Sequence, residues 1–392
     1  MPSKYMKVSP TAVLSALSPS GTYDYLTYDP VGKRLFAGLQ TDGLVVLPVA
    51  SSGAINASAA APVANTTRSN ALVIAGKLGF SGDNAGFTGA DAGIAGQGVT
   101  VINMTTLATV AIVASPNGVG VDNGVYDAYS GTVIMTRVDG SLMTFNAITG
   151  KYLATSAKVV PGCVSASDQC DPIEFPTVDG KGSLYICSPD YNNVLKLDSK
   201  TLAVVSTWSV AASGCYDPTG VAVDAKNNRL FVGCGDAGSP MVVVLDATAG
   251  TKVATVPIGR GNDGLIYDPN TARIFASSGV AGNIAVIQQS MAPESYTATS
   301  AVFTKMGART LAYDNVTGTL FTMAPDGTRR EGCPFASPLP AGAWRRSGSA
   351  EPHRPPRRAL QPEAHPERGH GWGYIRCERS IPQHNGGAFL QI

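Results

Sequence analysis

The feature that most constrains this chain is a repeat. "YLTYDPVGKRLFAG" at 25–38 returns as "GVAVDAKNNRLFVG" at 220–233, "GLIYDPNTARIFAS" at 264–277 and "TLAYDNVTGTLFTM" at 310–323. Fainter copies are "ALVIAGKLGFSG" at 71–82, "GVYDAYSGTVIMT" at 124–136 and "FPTVDGKGSLYICS" at 175–188. Equivalent positions are Asp29, Ala75, Asp127, Asp179, Asp224, Asp268 and Asp314, spaced by 44 to 52 residues. A period of this size marks an array of supersecondary units, each too small to bury its apolar face alone.

Within each unit an apolar run ends at the anchor position. A turn rich in Pro, Gly and Asn follows, then a second run such as "RLFVG". A third run ("GLVVLPV", "GVTVINM", "MVVVLDA") and a fourth ("LATVAIVA", "KVATVPIG") complete the unit. Four strands in each of seven units predict an all-β chain folded as a seven-bladed β-propeller. A solenoid or a pair of sandwiches would show shorter repeats or none.

The pairing of "YDP" with "RLF", and the run "VVVLDATAG" at 242–250, resemble the YVTN-type β-propeller repeat family over residues 6 to about 328. That resemblance implies membership of a wider group of seven-bladed propellers that includes lactonases and the large subunits of quinoprotein amine dehydrogenases. It also implies a periplasmic or secreted location. The N-terminus has no continuous apolar segment of the signal-peptide kind as written, which leaves the cytoplasm as the alternative.

A propeller must close its ring, because an open one leaves sheet edges unpaired. Residues 6–17 fit an outermost closing strand of the last blade. The seventh unit supplies "TLAYDN" and "TLFTMA", and after Pro325-Asp326-Gly327 the strand pattern stops. From Arg329 onward there are ten Arg, no Lys and all four His of the chain. The propeller is therefore assigned to 1–328, with an incomplete last blade. Residues 329–392 are assigned to a non-propeller tail, disordered or read out of frame. On this reading the tail adds no packed structure.

Ligand sites in propellers lie where the innermost strands begin. Five residues before the anchors stand Asp24, Asn70, Asp122, Glu174, Thr219, Asp263 and Arg309. The structural repeat places them in one layer around the channel mouth. Asp24, Asn70, Asp122, Glu174, Asp263 and Arg309 are the candidate ligand contacts. Asp24, Asp122, Glu174 and Asp263 would suit Ca2+ or another divalent cation, a cationic molecule or a polyol. Crowded carboxylates also raise one another's pKa, as a general acid or base requires. The plainer alternative is that short polar residues cap the turns into each inner strand.

The cysteines face the same side. Cys163 and Cys170 close a short loop, "CVSASDQC", and are the disulfide candidates, with Cys187 and Cys234 expected as buried thiols. The 328 residues before the tail carry 19 Lys+Arg against 23 Asp+Glu and no His. This excludes a nucleic-acid footprint, His-based triads and His-ligated metals from the propeller. No apolar run is long enough for a membrane span. The function expected is that of a monomeric propeller binding a small molecule, a cation or a protein partner at its acidic mouth. The alternative is a lactonase-like hydrolase or lyase using the mouth carboxylates with a divalent metal. A quinoprotein-like redox subunit ranks behind both, since no quinone-forming motif is present.

Overall fold

The computed structural model describes residues 8–14, 23–40, 42–66, 68–83, 98–160, 172–235, 238–325 and 387–391. Residues 1–327 with 384–392 form one compact unit and 328–383 a second, and the second lies outside the described residues. The first unit is a seven-bladed β-propeller of seven four-stranded sheets. Six sheets run in chain order from the channel outward. Their inner strands are Tyr23–Asp29, Ser69–Ala75, Val121–Asp127, Pro176–Val178, Pro218–Asp224 and Asn262–Asp268. They belong to blades one to six.

Blade seven is assembled from three parts of the chain. Leu311–Asp314 and Thr319–Pro325 form its first two strands, and Val8–Leu14 its outermost. The N-terminal closing strand thus sits where the sequence placed it. The expected gap at the third position is filled: Gly387–Gln391 lies antiparallel between Thr319–Pro325 and Val8–Leu14. Blade seven is complete, and the expectation that nothing after 328 joins the propeller is corrected for these five residues. The physical reason is the one that argued for closure. A slot bounded by two unpaired strand edges leaves backbone donors and acceptors unmet unless a further strand fills it.

The core is seven separate apolar layers, one between each pair of neighbouring blades. The repeat spelling explains how they are built. In blades five, six and seven the Phe of "LF" or "IF" in the second strand points toward the next blade. There it packs on the Tyr that precedes the anchor Asp: Phe231 on Tyr267 at 5.1 Å, Phe275 on Tyr313 at 5.5 Å, and Phe321 on Tyr28 at 5.2 Å. The last pair joins blade seven to blade one and closes the ring. The same Tyr hydroxyl reaches back to the preceding blade's anchor, as Tyr313 does in donating to Asp268 Oδ2 at 2.9 Å.

The anchor also caps its own turn. Asp29 Oδ1 accepts the amides of Val31 and Gly32 at 3.0 Å each, and Asp224 Oδ1 those of Lys226 and Asn227 at 3.1 Å. One carboxylate thus fixes a hairpin and, with the Tyr, ties two blades. Blade two has Ala75 at the anchor position, and no such tie reaches it.

Candidate functional site

At the mouth end of five inner strands the ladder slips. The register shifts fall between Tyr23 and Leu26, Ser69 and Ala71, Val121 and Gly124, Pro218 and Val221, and Asn262 and Leu265. A bulge re-aims the residue it releases. Asp24, Asn70, Asp122, Thr219 and Asp263 occupy these irregular steps. Glu174 and Arg309 lie just before the shorter inner strands of blades four and seven.

Neighbouring blades bring several of the candidates into contact. Arg309 of blade seven lies between Asp24 of blade one and Asp263 of blade six, 3.3 Å from an oxygen of each. It also donates to the carbonyl of Tyr23 at 2.9 Å. Asn70 Nδ2 donates to Asp122 Oδ1. Gln40 Nε2 donates to Asp24 Oδ2 at 3.0 Å. Thr219 turns instead to the backbone and donates to the Asn262 carbonyl at 2.7 Å.

Burial pushes the Asp24 carboxyl well above the usual carboxylate range; the charges of Asp122 and Asp263 add to this, while Arg309 and the Gln40 hydrogen bond oppose it. Asp263 is raised by burial and held back by Arg309. Burial alone would weaken the Arg309 guanidinium's hold on its proton, but Asp263 and Asp24 outweigh it and the shift is upward. These directions place Asp24, Asp122, Asp263 and Arg309 in one electrostatic cluster.

The channel is crossed below this layer. Tyr25 of blade one donates to Glu174 Oε2 of blade four at 2.6 Å, and its ring lies 5.5 Å from that of Phe175. Blades one and four are not neighbours, so the contact spans the channel. Burial, and then the nearby Glu174, keep the Tyr25 hydroxyl protonated well past its ordinary range. Tyr25 and Phe175 were not among the candidates, although a signal existed. One residue after the ring positions stand Tyr25, Ala71, Asn123, Phe175, Gly220, Gly264 and Thr310. Two aromatic rings among mostly small residues mark where something must reach across.

Among the described residues no three His, Cys, Asp or Glu side chains gather closely enough to hold one metal ion. Asp24 is met by Arg309 and Gln40, Asp263 by Arg309, Asp122 by Asn70 and Glu174 by Tyr25. One expectation is corrected: Cys234 is not a thiol but is bonded to Cys215, with Cα atoms 5.3 Å apart. An inner strand and its second strand run antiparallel, so the approach to one lies beside the end of the other. Cys187 is a buried free thiol, as expected, and burial pushes its pKa up. Cys163 and Cys170 lie outside the described residues.

No protein-family pattern matches the sequence, and no curated protein matches it. Solved structures do resemble it. The WD40 repeats of RRP9 superpose with a TM-score of 0.61 at 12% identity, covering 80% of this chain and 89% of that one. A provisionally assigned 6-phosphogluconolactonase from Bacteroides uniformis gives 0.54 at 12% identity, covering 72% and 85%. BamB from Moraxella catarrhalis gives 0.51 at 18% identity, covering 77% and 83%. At these identities the likeness is one of fold, and it supports the β-propeller without the narrower YVTN label.

Proposed function

We propose that this propeller binds a ligand bearing a positive charge, a small organic cation or a basic group of a protein partner, in the cup at its channel mouth. The observation that carries this reading is the burial of Asp24 near Asp122 and Asp263, three carboxylates against the one guanidinium of Arg309. Like charges brought together out of water are unfavourable, and an incoming cation would relieve them. The Tyr25–Glu174 contact across the channel favours a ligand that stays on the mouth side of it. Arginine amide and spermidine serve as cationic probes and sorbitol as the polyol control. A cation should raise the melting temperature by linkage, and Asp24→Asn with Asp263→Asn should abolish that rise. Equal shifts in the wild type and the double variant, or no shift with either cation, would count against the proposal.

A second reading, lactonase-like hydrolysis or elimination, is supported by the upward shift of Asp24, which suits a general base. Lactone opening followed by proton release should then be lost in Asp24→Asn. The assignment to YVTN-type repeats belongs to this proposal and rests on the "YDP…RLF" spelling. So does an oxidising location, which the Cys215–Cys234 bond supports. A single chain is sufficient for the cup, in keeping with a monomer.

A further inference from the structure

The face opposite the mouth carries the turns that join first to second and third to fourth strands. Backbone bonds tie the two kinds of turn together, as in Ala147 N to Gly131 O at 3.1 Å and Val49 N to Lys33 O at 2.8 Å. At the apices of these turns stand the three most exposed large apolar residues among the described ones: Val31 (94%), Ile148 (87%) and Val316 (81%). Around them are exposed lysines, at least one in each of blades one to five: Lys33, Lys77, Lys151, Lys181 and Lys226. Carboxylates share this side: Asp179, Asp198 and Asp246 are half-buried, each accepting an amide hydrogen of its own turn, and the others are set back. Asp29, Asp127, Asp224, Asp268 and Asp314 are buried, and each accepts amide hydrogens of its own turn. Exposed Glu294 is held by Arg229 at 2.7 Å. Among the described residues the fully exposed ionic side chains of this face are lysines apart from Glu294, so its outermost points are mainly aliphatic and cationic.

We propose that this face docks peripherally on an anionic lipid bilayer. Aliphatic side chains at loop apices gain by leaving water for the interfacial region, and lysines near an anionic surface each add roughly fivefold in binding. A polyanion such as nucleic acid would use the lysines and leave Val31, Ile148 and Val316 in water, which is why a bilayer is the better occupant. The turns of all seven blades end at one face, a shape that suits a plane. In this orientation the mouth points away from the membrane.

The test is co-sedimentation of the full chain with phosphatidylcholine vesicles, with and without about a third phosphatidylglycerol. Binding is expected with the anionic vesicles and should weaken as salt rises. Val31→Ser with Ile148→Ser and Val316→Ser should reduce it by roughly tenfold or more. Lys33→Glu with Lys226→Glu should do likewise. These side chains are exposed, so an unchanged melting temperature should show the fold intact. Phe303→Ser with Met306→Ser, on the mouth side, should leave binding unchanged. Three results would overturn the proposal: no binding to anionic vesicles, full binding by the triple apex variant, or equal binding to duplex DNA that the apex variant does not weaken.

Discussion

Arg309 sets the electrostatics of the mouth, and removing it tests them. Arg309→Met would leave Asp24 and Asp263 buried without the cation they share. Because the Arg309 side chain is 41% exposed, the loss should be about 1–2 kcal/mol at neutral pH, below the usual figure for a fully buried pair. The pH dependence has a defined sign. Asp24 and Asp263 have folded-state pKa values above the ordinary 3.8. Their contribution is therefore fully present below 3.8 and is lost as pH rises through the folded values. Asp127 and Asp224, held by hydrogen bonds that outweigh burial, shift the other way, and their contribution is lost as pH falls below 3.8. Chemical denaturation of Arg309→Met should show stability recovering on mild acidification, and adding Asp24→Asn should flatten that recovery. The disulfide belongs to the same scale. Cys215→Ser should cost about 3 kcal/mol, given the 19-residue separation. Reduced wild type should match it in denaturant titration, with Cys187 accessible to thiol reagents only after unfolding. Sequence spacing favoured Cys163 and Cys170 because they are close along the chain. Cys215 and Cys234 are close because a strand pair brings them together, and the sequence recorded that only through the positions of the strands.

At the level of the element, the "YDP…RLF" unit is a joint between blades rather than a blade by itself. Phe275→Ala should cost roughly 3–5 kcal/mol, since Phe275 is fully buried and its loss leaves a cavity between blades six and seven. Tyr313→Phe removes the hydroxyl that Asp268 accepts and should cost about 1–2 kcal/mol in thermal or urea unfolding. The repeat made the strand order legible because turn residues and aromatic positions recur together. It also placed Asp24, Asp263 and Arg309 in one layer through simple counting. Counting could not show that Tyr25 spans the channel, because the repeat describes what the blades share and that contact depends on two blades differing from the rest. Nor could it find Gly387–Gln391. Five residues with no alternating pattern, separated from their partner by residues 326–386, carry no signal of pairing until the slot they fill is known.

For the molecule as a whole, closure depends on strands from both sides of the six intact blades. Deleting residues 387–392 removes the central partner of Val8–Leu14, and the melting temperature should fall, with more aggregation on heating. An unchanged melt would mean that the slot can stay empty without loss. Six blades are each made from one stretch of chain and can form as they are synthesised, whereas the seventh cannot. Its outermost strand is synthesised before the six intact blades, and the strand it must pair with after them. At roughly 5–20 residues per second, Val8–Leu14 waits on the order of twenty seconds to over a minute for that partner. During that interval the nascent chain carries an unpaired β-strand, so the order of translation puts ring closure after the six intact blades and exposes this protein to strand capture by its neighbours until Gly387–Gln391 has been made.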